Sequence, residues 1–226
     1  MTHRVHPYIF RIGTIRSWKS RWFNRSAYQK LLREDTLLRE WLEKRLRHCF
    51  VDVIEFERSP AVLQVIVKTS RPGMIIGRGG EGVEKLKGAV QQKIANIYRQ
   101  FRESAPERQE LKLTIEEVRK PETRAAIVAQ MIIDDIERRM PFRRVMRQAV
   151  QKVEASPDVQ GVKLSLKGRL DGSEMARHET LKRGRIPLQT LRANIDYAGK
   201  TAYTTYGTIG VKVWIYTGDV FEKKEK

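Results

Sequence analysis

Apolar positions along the chain follow two periods, and each change of period predicts a change of element. Leu38, Trp41, Leu42, Leu46 and Cys49 recur three and four apart, which is the spacing of one helical face, and Asp35 or Thr36 can cap that helix at its start. Two strand-like runs follow, Phe50–Glu57 and Ala61–Lys68, and Arg58, Ser59 and Pro60 between them predict a hairpin. Pro72 and Gly73 turn the chain, Met74–Ile76 make a short apolar step, and Gly77-Arg78-Gly79-Gly80 lead into a new helical pattern. Val83, Leu86 and Val90 share its face, and Ile94, Ile97 and Phe101 continue at helical spacing. After a polar connector containing Pro106, Leu111, Leu113 and Ile115 alternate as in a half-buried strand. The order is helix, strand, strand, helix, helix, strand.

Val118–Pro121 closes that unit, because Pro121 suits the first turn of another helix and the residue before it avoids helical backbone. Val128, Met131, Ile132 and Ile136 build one face of the helix, Pro141 interrupts it, and a second helix runs to about Ala155. From Gly161 the pattern becomes strands, with Val162, Leu164 and Leu166 alternating, and later Val211, Val213 and Ile215; Arg169–Gly172 is a turn between them. The reading is α+β throughout: a basic extension over 1–34, a first domain over 35–119, a second over 120–220 and a charged tail over 221–226. The second domain is expected to hold two helices and a mixed or antiparallel sheet.

Charge narrows the function. Among 226 residues, 45 Lys and Arg face 27 acidic residues, giving a formal charge of +18 and a pI near 10.2. Such an excess fits a polyanion, since each phosphate neutralised releases condensed counterions. No apolar run approaches the roughly 18 residues of a spanning helix and the N-terminus lacks a signal-peptide core, so no membrane is expected and a cytosolic location is. Cys49 is the single cysteine, read as a small buried apolar residue, and His3, His6, His48 and His178 have no ligand spacing, so neither metal nor cofactor is expected. No nucleophile elbow, zinc-protease or P-loop pattern occurs, so neither an enzyme nor a small-molecule substrate is expected.

The basic residues are concentrated in three places. No acidic residue precedes Glu34, while aromatic residues interleave with the cations; Arg4, Arg11, Arg16, Trp18, Lys19, Arg21 and Trp22 are candidate RNA contacts, the alternative being a disordered tail whose aromatics dock on the next helix. Between Arg138 and Lys152, six cations fall in fifteen residues with no acid, and Arg143, Arg144 and Arg147 share one helical face. Guanidinium forks so aligned can follow a phosphate backbone. Asp134 and Asp135 are expected to be solvated or paired with Arg138 and Arg139. The third concentration supplies Arg177, Lys182, Arg183, Arg185 and Arg192 as further candidates.

Two chemistries could use the glycine loop. Gly77, Gly79 and Gly82 satisfy the G-x-G-x-x-G of dinucleotide folds, but that motif needs a strand running straight into its first glycine, and Ser70–Gly73 breaks the strand earlier. The G-x-x-G of a KH domain, Gly77, Arg78, Gly79 and Gly80, fits the element order better and clamps a few nucleotides by their backbone.

Longer stretches carry a resemblance. Val5-His6-Pro7, Arg71-Pro72-Gly73 with Ile75-Ile76-Gly77, Val83-Glu84-Lys85-Leu86, Glu117-Val118-Arg119-Lys120-Pro121 and Phe142-Arg143-Arg144 are followed by Gly168-Arg169-Leu170, Gly184-Arg185 with Pro187-Leu188, Thr204-Thr205-Tyr206-Gly207 and Ile209–Ile215. In this order the chain resembles the bacterial-type small-subunit ribosomal protein S-three. The resemblance implies a type II KH domain (α-β-β-α-α-β), a place in the head of the small subunit, and small-subunit rRNA, mRNA and the tenth and fourteenth proteins as partners. It also implies that Arg143, Arg144 and Arg147 line the channel by which messenger enters and take part in unwinding it. Gly79 replaces a basic residue that the family commonly places there, and the stretch from Gln92 to Gln109 is longer than in common relatives. The alternatives are a nucleotide-dependent enzyme using Gly77–Gly82 and a KH-type ribosome assembly factor.

Overall fold

A computed structural model describes residues 5–59, 61–101 and 110–221. The chain divides into two compact units, one made of residues 18–119 and the other of the residues up to Ser17 together with those from Lys120 onward. In chain order the elements are α1 (Pro7–Phe10), β1 (Ser20–Arg21), α2 (Tyr28–Arg45), β2 (Val51–Arg58), β3 (Val62–Thr69), α3 (Pro72–Ile76), α4 (Glu81–Gln100) and β4 (Glu110–Glu117). They continue with α5 (Ala125–Glu137), α6 (Phe142–Glu154), β5 (Gly161–Gly168), β6 (Arg177–Gly184), β7 (Ala193–Thr204) and β8 (Gly207–Asp219).

Residues 18–119 form the KH unit. From α2 onward its main elements run α-β-β-α-α-β, and β2, β3 and β4 lie side by side with β2–β3 antiparallel and β3–β4 parallel. Alternation along the strands sends Ile54, Phe56, Leu63, Val65, Val67 and Leu111 to the helix side, where Leu38, Leu42, Leu86, Val90 and Ile97 meet them. Two-residue β1 adds a parallel edge beside β2. Helix α2 begins at Tyr28, about two turns before the expected cap. Asp35 is therefore inside the helix and buried, and Thr36 donates back to the Leu32 carbonyl at 2.8 Å. The expectation overlooked the fact that Leu31 continues the apolar stripe one turn earlier.

The other unit is an antiparallel sheet in the order β6-β5-β8-β7 with α5 and α6 on one face. Val162, Leu164, Leu166, Val211, Val213 and Ile215 point to the helices, and Ile132, Ile136, Val145, Met146 and Val150 pack back onto them. Sequence periodicity located β5 and β8. It missed β6, which carries a single apolar residue on its helix side, and β7, whose inward positions include small Ala198 and Ala202.

Residues expected to form a basic extension belong to these two units. Helix α1 packs on β7, and Arg11 just after it is fully buried: its guanidinium donates to the carbonyls of Pro7 (2.9 Å), Leu188 (3.0 Å), Thr190 (2.9 Å) and Ala193 (2.7 Å). Burial first, and then the nearby charge of Arg16, hold its pKa below the ordinary arginine value.

Candidate nucleic-acid interface

Helix α6 is built as two faces. Phe142, Val145, Met146, Val150 and Val153 are buried in the core, each contributing about 1.5–3 kcal/mol by leaving water. That stripe leaves Arg143, Arg144 and Arg147 on the opposite, exposed face. None of the three pairs with a carboxylate among the described residues. Like charges at this spacing repel one another by a few tenths of a kcal/mol. Among the described residues no carboxylate offsets the repulsion, and the Arg143 guanidinium lies 5.7 Å from the Phe142 ring centroid.

The helix start is held from a distance. Pro141 has no side chain with which to cap it, and Asp171, from the Arg169–Gly172 turn, accepts from the Phe142 amide at 3.3 Å. Arg138 and Arg139, ahead of α6, are exposed and do not pair with Asp134 or Asp135; Asp134 instead accepts from the Gln130 amide at 2.9 Å, and Arg139 takes a left-handed backbone (φ 63°). Arg177 begins β6 opposite Gly168, and Arg183 lies farther along the same edge strand opposite Val162; both are exposed on the helix side. Lys182 is exposed on the opposite side of the sheet, paired in register with Lys163, and Arg185 is exposed just past the strand end. Arg192 pairs with Asp219 at 3.0 Å.

The glycine loop joins α3 to α4. Gly77, Gly79 and Gly80 have φ of 68°, 63° and 83°, a left-handed run that side chains resist. Gly82 serves packing: a Cβ there would stand 2.8 Å from the Ile76 carbonyl and closer still to that of Ile75. The first glycine follows helix α3 and not a strand, so the dinucleotide geometry is not formed. Beside the loop, α4, β3 and β4 bound a cleft of about 620 Å³ whose charged lining, Glu84 and Glu110 with Lys87 and Lys112, balances. Lys85 is paired with Glu81 at 2.5 Å, which leaves Arg78 as the free cation of the loop among the described residues.

The N-terminal candidates separate. Arg11 is a buried structural group, so its expected RNA contact is corrected: each of its three side-chain nitrogens donates to the protein's own backbone. Trp22 is half-buried and donates to Asp35 at 2.8 Å, and Arg21 bridges Glu55 and Glu57 at 2.7 and 2.6 Å. Arg16 is half-buried and donates to Asn194 at 2.9 Å. Lys19 is half-buried, Trp18 is exposed, and Arg4 lies outside the described residues.

One buried node was not expected. The Arg58 side chain, 3 % exposed, lies 3.1 Å from Glu34 and 2.5 Å from Asp35, while Tyr98 donates to Glu34 at 2.8 Å. Burial pulls the Arg58 pKa down, but Glu34 and Asp35 together raise it above the ordinary value. Nothing in the hairpin reading of Arg58-Ser59-Pro60 marks that arginine as internal. Among the described residues, no group of three or more His, Cys, Asp or Glu could hold a metal, and no helix is long and apolar enough to cross a membrane.

The comparisons agree with the two-unit fold. A KH-domain model matches residues 37–123, and a model of the ribosomal protein S3 C-terminal domain matches residues 132–215. The chain is 43% identical over 224 residues to the small ribosomal subunit protein uS3 of Magnetococcus marinus, covering 99% of this chain and 100% of that one. It is 41% identical to the uS3 of Desulfovibrio desulfuricans, covering 99% of each, and 43% identical to that of Koribacter versatilis, covering 100% of this chain and 95% of the relative. Aligned nearly end to end with such relatives, the chain belongs to the uS3 family, RNA-binding structural proteins of the small ribosomal subunit and not enzymes.

Proposed function

We propose that this chain binds small-subunit rRNA in the head and lines the channel through which mRNA enters, helping to hold and open incoming messenger. The carrying observation is the exposed, carboxylate-free ladder of Arg143, Arg144 and Arg147 on α6. A single-stranded backbone can track along these forks with bidentate contacts, so each step of translocation driven elsewhere leaves the opened strand favoured over the duplex. The mechanism is passive and consumes nothing.

Arg177, Lys182, Arg183 and Arg185, exposed around the edge strand β6, fit rRNA, and so do Trp18 and Lys19. The KH loop is a lesser contact, since Arg78 supplies its one free cation among the described residues and the adjacent cleft is balanced in charge. The neighbouring tenth and fourteenth small-subunit proteins complete the set of partners, and the protein resides in the small subunit.

Replacing Arg143, Arg144 and Arg147 by alanine tests the proposal. Ribosomes carrying the variant should slow on messenger with stable hairpins and read unstructured messenger at the normal rate. Equal slowing on both, or on neither, overturns the assignment.

A further inference from the structure

Tyr206 projects from the turn between β7 and β8 and is 58% exposed, yet it is fixed. Its ring lies on Gly172, where an added Cβ would be 3.1 Å from the nearest ring carbon. The Arg169 guanidinium lies 5.9 Å from the ring centroid, donating to the Tyr206 carbonyl at 3.3 Å and to that of Ser173 at 2.9 Å. Within the turn, Thr204 donates to the Gly207 carbonyl at 2.7 Å. A side chain that only needed solubility would not be clasped this way.

The surroundings say what the free part of the ring could meet. Asp171, next to Gly172, accepts from the first amide of α6, so Tyr206 stands within a few residues of Arg143 and Arg144. On the same hairpin, the Tyr203 amide donates to Glu137 at 3.0 Å, which ties the hairpin backbone to the end of α5, while the Tyr203 ring alternates to the sheet face away from the helices. The exposed Tyr206 ring therefore has Arg169 against it and the arginine-bearing start of α6 nearby.

We propose that Tyr206 is a stacking platform for bases of single-stranded RNA whose backbone lies on the arginine face of α6. The inference rests on the messenger-holding role of that face and adds a base contact that charge alone does not supply. Stacking is tolerant of sequence because every base has a π-face, and it contributes on the order of ten-fold in affinity per base.

The test uses small subunits assembled with the full-length chain and a labelled unstructured messenger, titrated at several salt concentrations. Tyr206→Leu should weaken binding about ten-fold with an unchanged slope of log affinity against log salt, and Tyr206→Trp should bind at least as tightly as the parent. A messenger truncated before it reaches α6 should bind every variant equally. Arg143→Ala, by contrast, should lower the salt slope by about one. If Arg143→Ala lowers the slope while Tyr206→Leu binds like the parent, the platform is wrong and the arginine reading stands. If the arginine variant leaves the slope unchanged, the reading beneath it fails first. Should Tyr206→Leu assemble poorly, weakened binding by Tyr206→Trp alone overturns the proposal, and so does loss of a neighbouring protein from Tyr206→Leu subunits at unchanged messenger affinity.

Discussion

Arg11 and Arg143 carry the same guanidinium under opposite conditions. Carbonyl oxygens replace water around Arg11, whereas Arg143 keeps its solvent and waits for an anion. Removing Arg11 strands several buried carbonyls at about 1–3 kcal/mol each. Arg11→Met should therefore lower the urea midpoint by an amount worth about 3 kcal/mol or more, while Arg143→Met should stay within about 0.5 kcal/mol of the parent. Similar losses at both sites would refute the structural role of Arg11. The difference was not legible in the chain, because four of the five acceptors of Arg11 lie at Pro187–Ala193 and no local pattern announces a closure over that distance. Arg58 escaped notice for the same reason. Cys49 was legible: it is buried after a helical stripe, and burial pushes its thiol pKa up against the weaker opposite pull of Arg71.

At the level of elements, helix starts in the residue 120–221 region are capped across space. The Ala125 amide at the head of α5 donates to Asp196 on β7 at 2.7 Å, as the Phe142 amide of α6 does to Asp171. Asp196→Ala should cost about 0.5–2 kcal/mol, seen as a lower midpoint in chemical denaturation at unchanged m. Gly82 sets two effects against each other in α4. Alanine is the better helix former by about 1 kcal/mol, but its methyl would meet the Ile75 and Ile76 carbonyls, and such overpacking costs about 1–3 kcal/mol. Gly82→Ala should thus destabilise the KH unit, whereas Gly88→Ala, with no atom within 4 Å of the added carbon, should stabilise it. Thermal melts of the two variants decide the sign. Elements with strong apolar periodicity, such as α4, α6, β3 and β8, were readable in advance. The charged edge strand β6 was not, because an edge strand beside a two-helix layer needs few apolar residues of its own.

At the scale of the whole molecule, the positive charge is unevenly used. On the outer side of the KH sheet, Arg21 and Lys68 are neutralised by Glu55, Glu57 and Glu116, so that side offers an RNA little. Among the described residues, Arg143, Arg144, Arg147, Arg177, Lys182, Arg183 and Arg185 make no such pair, whereas Arg192 pairs with Asp219. Net charge alone predicted a polyanion; choosing which surface meets it required knowing which arginines are already spent. The contiguous 18–119 unit also contrasts with its companion, which joins residues from both ends of the chain. Deleting the residues through Ser17 should accelerate amide hydrogen exchange in β7 and β8 and leave β3 protected as before. Faster exchange in β3 as well would mean that the two units do not open independently.

That divided construction imposes an order on synthesis. Four of the five carbonyls that receive Arg11 emerge 176 to 182 residues after it, so the nascent chain carries an incompletely seated guanidinium through nearly the whole of translation. The KH unit can close in the meantime, since none of its residues is still to come. A guardian that shields the leading segment until termination, or a partner that engages it early, would find its target displayed for most of the polypeptide's manufacture and hidden once the final strands lock down.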